Sequence, residues 1–232
     1  FQGEDNGDRS GWSVASAGDV DGDGLDDVLL GAIYARDSGF STGKTYLMLG
    51  SDVVAMPSGS VRSVADASYT FVGEPATLEL AGWSVASAGD VDGDGRPDVL
   101  IGAPGNKDKG CCRTGKAYVM LASTIAAAPT GTSFALAEAS YSFVGETSTD
   151  EAGYSVASAG DVDGDGRDDI IIGAPENIEA GQWRGKAYVM LASEFTAAAP
   201  GSPESTFELA EASYSFLPLG SPDLSYTGTS VA

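Results

Sequence analysis

The chain has 232 residues, 42% of them hydrophobic, enough to bury a sizeable core, and its 32 glycines against 20% charged residues call for many tight turns, as in an all-β protein. A formal net charge of −22 excludes nucleic acid as a partner, and the absence of histidine removes the commonest general base and zinc ligand together. No run of about 18 apolar residues exists to span a membrane, and Phe1 heads the chain without a leader, as expected of a secreted protein whose signal peptide is trimmed or left out.

In chain order, Phe1, Gly3 and Glu4 are the remnant of a unit whose fuller form comes later. Ser13 to Ala17 alternates small polar and apolar residues, the period of a half-buried strand. Asp19 to Asp27 follows as Asp-Val-Asp-Gly-Asp-Gly-x-x-Asp, and then Val28-Leu29-Leu30, a short apolar run suited to a strand buried on both faces. Tyr46 to Leu49 predicts a third strand and Tyr69 to Val72 a fourth. The same order then recurs. Gly11, Gly82 and Gly153 open the phrase Gly-(Trp/Tyr)-Ser-Val-Ala-Ser-Ala-Gly-Asp at intervals of 71 residues, and the acidic nonapeptide returns at Asp90 to Asp98 and Asp161 to Asp169. Ala212 to Phe216 begins a further unit before the pattern dissolves at Leu217.

A long fixed period of this kind predicts units that bury their apolar faces against one another. The expected fold is three tandem four-stranded antiparallel repeats resembling propeller blades, with no helix required. The units divide as 1–68, 69–140 and 141–213, with 214–232 a partial repeat or closing strand. Propellers close with about four to eight blades, so three leave closure open. A fragment, a six-bladed ring of two chains, an open stack and a compact non-propeller arrangement all remain. So does homo-oligomerisation.

Each nonapeptide puts four carboxylates in nine residues, a crowding that a hard cation relieves. Calcium takes about six to eight oxygens, and a short loop supplies them from side chains at positions 1, 3 and 5 and a carbonyl at 7. The candidate ligands are Asp19, Asp21, Asp23, the carbonyl of Leu25 and Asp27; Asp90, Asp92, Asp94, the carbonyl of Arg96 and Asp98; and Asp161, Asp163, Asp165, the carbonyl of Arg167 and Asp169. Three Ca2+ ions are therefore expected. An EF-hand needs a bidentate Glu at position 12, where this chain has Leu30, Ile101 and Ile172, and a strand follows each loop. Magnesium, which holds its waters in a rigid octahedron, suits these loops less well.

Other motifs have plainer readings. Gly110 to Lys116 spells Gly-x-x-x-x-Gly-Lys, yet Ala117 replaces the Ser/Thr of a phosphate loop, and a strand follows where a helix is needed. Adjacent Cys111 and Cys112 could form a vicinal disulfide, stay reduced or pair between chains. Trp12, Trp83 and Tyr154 hold equivalent places and are read as packing between units. Recognition is expected where the copies differ: Tyr34, Arg36 and Phe40 in the first copy, Lys107, Lys109 and Arg113 in the second, Trp183 and Arg184 in the third.

Phe71 to Gly73 and Phe143 to Gly145, Gly102 to Pro104 and Gly173 to Pro175, together with the acidic nonapeptides, resemble the FG-GAP repeat of integrin α-subunit propellers and their bacterial relatives. The resemblance covers essentially the whole chain. It implies a β-propeller blade with its calcium loop on the face opposite the ligand-binding loops, in an extracellular or cell-surface adhesion or recognition protein. The first copy departs from it with Gly31-Ala32-Ile33, and the last partial copy reads Phe216-Leu217-Pro218. The expected function is a non-catalytic, calcium-binding module with an extracellular protein or glycan as ligand. The alternatives are an accessory domain of a secreted hydrolase and a self-assembling surface protein.

Overall fold

The computed structural model describes residues 1–37, 40–75, 78–110, 112–179, 182–202, 205–217 and 227–232, with the backbone alone at 179, 182 and 183. Each sheet takes its first three strands from one unit and its fourth from the start of the next. In the first, Ser10–Gly18, Asp27–Ala32, Lys44–Met48 and Tyr69–Val72 pair antiparallel in chain order. Ser84–Gly89, Asp98–Ala103, Lys116–Met120 and Tyr141–Val144 do the same in the second. Ser155–Gly160, Asp169–Ala174, Lys186–Met190 and Tyr214–Phe216 form the third. The expected four-stranded blades are present, with the acidic loop turning the chain from first strand to second.

Two additions were not legible in the periodicity. Thr132–Ala135 lies parallel to Tyr69–Val72, and Thr206–Glu208 parallel to Tyr141–Val144, so the connection within each later unit adds a fifth strand to the preceding sheet. Phe134 stacks on Phe71 at 5.7 Å and Phe207 on Phe143 at 5.7 Å, which gives these short strands an apolar anchor. The expectation that no helix is needed is corrected. Gly50–Val54, Ala122–Ala126 and Ala192–Phe195 are single helical turns after each third strand. Segments of four or five residues show no helical period, and no side chain caps them locally; a distant aspartate does, as described below.

The sheets pack face to face. Leu29, Leu47 and Phe71 of the first sheet share a core with Val85, Ile101 and Tyr118 of the second. Leu100, Val119 and Phe143 turn to the other side and meet Val156, Ile172 and Tyr188 of the third. This explains the unbroken apolar run at Val99, Leu100 and Ile101, each fully buried, since the middle sheet has a neighbour on both faces. The equivalent Val14 is 66% exposed where Val85 is 7%, because no sheet among the described residues packs on the outer face of the first sheet, where Ala32, Ala35, Tyr46 and Val64 form only a small core of their own. Trp12, Trp83 and Tyr154 join the blades as expected, with ring centroids 4.9 and 5.1 Å apart.

Glycines let the blades meet backbone to backbone. A β-carbon on Gly31 would stand 2.0 Å from the carbonyl oxygen of Gly82, and one on Gly102 would stand 2.0 Å from that of Gly153. Gly173 meets Gly228 in the same way, at 2.1 Å. Thr227 also bridges Gly185 as Ala81 bridges Gly43 and Ala152 bridges Gly115. Gly228-Thr229-Ser230-Val231-Ala232 thus restates the opening phrase of the repeat. The pattern that dissolves at Leu217 resumes at Gly228. At the other end Gln2 bridges Ser63 in parallel, the relation of Val72 to Ala135, so Gln2 holds toward the first unit the place that Val72 holds toward the second.

Gly102→Ala is expected to lower stability by about 2–3 kcal/mol in urea unfolding, the cost of overpacking an interior contact. Gly59→Ala, at φ +80° with nothing within 4 Å, carries only the left-handed backbone cost of about 1 kcal/mol.

Candidate metal centres

The first aspartate of each loop winds it. Asp90 Oδ1 accepts the N–H of Gly93 at 2.8 Å and of Asp94 at 3.0 Å, and its Oδ2 accepts that of Gly95 at 2.8 Å. Asp19 and Asp161 make the same three bonds in their loops. The paired glycines sit at positive φ, +78° and +89° for Gly93 and Gly95, where a side chain would be strained. The result is a tight coil that turns successive carboxylates toward one point.

Asp19, Asp21 and Asp23 each bring a carboxylate oxygen within 4.8 Å of the others, and so do Asp90, Asp92 and Asp94. In the third loop the grouped residues are Asp161, Asp163 and Asp169, and Asp165 accepts the backbone N–H of Arg167 at 2.9 Å. Burial holds the carboxyls of Asp21 and Asp92 above the usual range, and their like-charged neighbours raise them further. In the second loop Arg96 pairs with Asp94 at 2.8 Å; the first has Leu25 in that place. Oxygen-only donors, short of positive charge and wound on a glycine coil, fit a hard divalent ion.

The ninth-position aspartates do a second job. Asp27, Asp98 and Asp169 are all buried. Asp98 Oδ2 accepts the N–H of Val91 at 3.0 Å, and Oδ1 accepts that of Ala122 at 2.8 Å, the first residue of the short helix. Asp27 bonds Val20 and Gly50, and Asp169 bonds Val162 and Ala192, in the same pattern. One carboxylate therefore ties the acidic loop to its strand and caps a helix. Burial pushes Asp27 up to about 6 and Asp98 up to about 7, against the pull of those N–H groups, and raises Asp169 in the same direction.

A second repeated cluster escaped the sequence reading. The Glu of Phe-x-Gly-Glu pairs with the Lys of the next Gly-Lys: Lys44 with Glu4 at 2.8 Å, Lys116 with Glu74 at 2.8 Å and Lys186 with Glu146 at 2.7 Å. Each pair ties the end of one blade to the third strand of the following one. Beside the second pair, buried Glu79 accepts from Tyr118 Oη and from Asn106 Nδ2, and burial lifts its carboxyl to about 7. Both partners stand in fixed motifs, so their recurrence in all three copies was the available signal.

The variable loops gather at the opposite ends of the strands. Tyr34 N–H donates to Asp8, Gly105 to Glu79 and Glu176 to Asp150, tying the loop after each second strand to the one before each first strand. Arg9 lies over the Tyr34 ring at 4.8 Å, and Arg36 and Phe40 stand on a small exposed hairpin. Lys109 pairs with Glu208 and donates to the carbonyl of Glu146, while Arg113 pairs with Glu151 at 3.0 Å. Lys107 and Arg184 are partly buried, Trp183 lies on a second small hairpin with its side chain outside the described atoms, and Cys111 is outside the described residues. Cys112, Arg113, Thr149, Glu151 and Glu176 line a cavity of about 250 Å³ between the second and third blades. Lys116 opens a strand, so Gly110 to Lys116 does not lead into a helix N-terminus.

Tandem four-stranded blades, each with an acidic hairpin between its first and second strands, define an all-β repeat protein of the propeller-blade class. The FG-GAP repeat matches residues 10–48, 81–120 and 152–190, just over half of the chain, and the protein belongs to that family. It is 31% identical over 185 residues to Integrin alpha pat-2 of Caenorhabditis elegans, an alignment covering 72% of this chain and 13% of that protein. Integrin alpha-PS2 of Drosophila melanogaster is 31% identical over 103 residues, covering 42% of this chain and 7% of its own length. Phosphatidylinositol-glycan-specific phospholipase D of Bos taurus is 28% identical over 181 residues, 76% of this chain and 20% of that protein. The chain thus spans a fifth or less of each of these relatives. No helix among the described residues is long and apolar enough to cross a membrane.

The raised carboxyls set a pH dependence. Asp98 and Glu79 bind their protons more tightly folded than unfolded, so metal-free stability is full below about pH 4 and falls as pH rises through about 7. Thermal melts in chelator from pH 4 to pH 8 are expected to show a falling Tm, and a rising one contradicts the assignment. Asp98→Ala leaves two buried N–H groups without an acceptor and is expected to cost about 2–5 kcal/mol in urea unfolding, with or without metal.

Proposed function

We propose that this chain is a calcium-stabilised, non-catalytic recognition module of integrin-α type, acting outside the cell. The observation that carries the reading is the convergence of carboxylates in all three loops, within 4.8 Å in each, on a coil built of glycines. Each ion would be held by the aspartates at positions 1, 3, 5 and 9 with the carbonyl at 7. Bound calcium supplies the positive charge these loops lack and locks the turn between first and second strands. The chain's own residues do the rest: the first aspartate winds the coil, and the ninth ties it to the sheet and helix.

The strands separate structure from recognition. The metal loops lie at one end of the blades and the variable loops at the other, where two differing loops per unit meet. Tyr34, Phe40, Lys107, Lys109, Arg113, Trp183 and Arg184 belong to this second face, and a protein or glycan ligand is assigned to it. The bovine relative, by its name a phospholipase D, supports a second reading as an accessory module of a secreted hydrolase. A binding screen on glycan arrays and immobilised matrix proteins, with Arg113→Ala as the loop-face variant, separates the two readings. Retained ligand binding in isolation supports the first, and the absence of any ligand together with stimulation of a hydrolase supports the second.

Calcium that binds only the folded state adds RT ln(1 + [L]/Kd), roughly 1.4 kcal/mol per site at tenfold excess over Kd. Elemental analysis is expected to find three ions per chain, and chelation to lower Tm. Asp92→Ala is expected to lower Tm in calcium and to leave it unchanged or raised in chelator, since it relieves repulsion once the ion is gone. A loss of equal size in both conditions would make Asp92 a structural residue only.

A further inference from the structure

The three acidic loops are not equally joined to one another. Asp168, at position 8 of the third loop, donates its backbone N–H to the carbonyl of Asp90 at 3.0 Å and accepts the N–H of Asp90 on its Oδ2 at 3.0 Å. Asp90 is the first aspartate of the second loop, the residue that winds that coil. Gly89 leaves room for this grip: a β-carbon there would stand 2.2 Å from Asp168 Oδ2. The Arg167 side chain adds a contact, with its Cγ 3.8 Å from the β-carbon position of Gly93.

The junction between the first and second loops has the same geometry and different chemistry. Pro97 holds the place of Asp168, and its ring covers Gly18, with Cγ 2.6 Å from the β-carbon position there. Proline has neither an N–H nor a carboxylate, so it can press on the first loop but cannot hold the backbone of Asp19.

We infer that Asp168 couples the second and third metal loops, so that an ion in one strengthens binding in the other, while the first loop binds independently. The inference rests on the calcium reading above. Asp168 lies between the carbonyl of Arg167 and Asp169, two candidate ligands, so filling the third loop fixes Asp168 on both sides. Its two bonds then fix the main chain of Asp90, from which the second coil starts. The coupling runs equally in reverse, as linkage requires. Asp168 is a positioning residue: it acts on the ion of the second loop through Asp90 alone.

The test is calcium titration by calorimetry on the chelator-stripped chain. Emptying the third loop with Asp163→Ala/Asp165→Ala is expected to weaken one of the two remaining sites about 5-fold or more, the usual lower range of such coupling. Emptying the second loop with Asp92→Ala/Asp94→Ala weakens the third by the same factor, and emptying the first with Asp21→Ala/Asp23→Ala changes neither. Asp168→Pro, which copies the junction already present at Pro97, keeps three ions and abolishes the effect. Pro97→Asp installs a coupling between the first and second loops. Should Asp168→Pro lose its circular-dichroism spectrum, Asp168→Ala, which keeps the N–H and loses the carboxylate, is expected to reduce the coupling. Three ions bound with affinities indifferent to emptying the third loop would overturn the coupling and leave the calcium reading standing. No ion uptake by the intact chain would overturn both.

Discussion

The buried aspartate at the ninth position of each acidic loop is the point on which the architecture turns. Asp27, Asp98 and Asp169 each begin a second strand, close the loop that precedes it and accept from the first residue of a helix that follows the third strand. Three separate pieces of chain meet at one carboxylate. Burial makes its charge costly, and two N–H groups repay only part of that cost. A divalent cation held by the loop would supply the balance and make the acidic loop and the sheet parts of one electrostatic arrangement.

Blade packing follows a second constraint, the close approach of glycine backbones at Gly31 and Gly82, Gly102 and Gly153, and Gly173 and Gly228. With the main chains so near, the large side chains interleave above and below, and Tyr46, Tyr118 and Tyr188 are fully buried at equivalent places. The Lys–Glu pairs then fasten the rim. These pairs are largely shielded from water, so breaking one partner leaves a charge in a poor environment.

Most of this was legible in the residues because repetition made weak signals strong. One Asp-Gly-rich turn says little; three in register, each followed by an apolar run, give strand order, loop position and candidate ligands together. What stayed hidden depended on contacts distant in sequence. The fifth strands at Thr132–Ala135 and Thr206–Glu208 have ordinary composition and exist because Phe134 and Phe207 find a phenylalanine on the previous sheet. The helical turns are too short for a period and are capped by an aspartate on another strand. The restart at Gly228 was masked by a longer interval and by Thr229 where the earlier copies carry an aromatic residue.

The parallel fifth strand also has a bearing on biosynthesis. The first sheet has its four antiparallel strands once Val72 has been made, but the piece that covers its outer edge, Thr132–Ala135, is not translated until nearly a whole further unit has emerged. Until then the first sheet would keep an open hydrogen-bonding edge, and the second sheet likewise until Thr206–Glu208 is made. Order of synthesis is built into the hydrogen-bond pattern, and a nascent chain halted between units would present to its surroundings the edge that the next segment is meant to close.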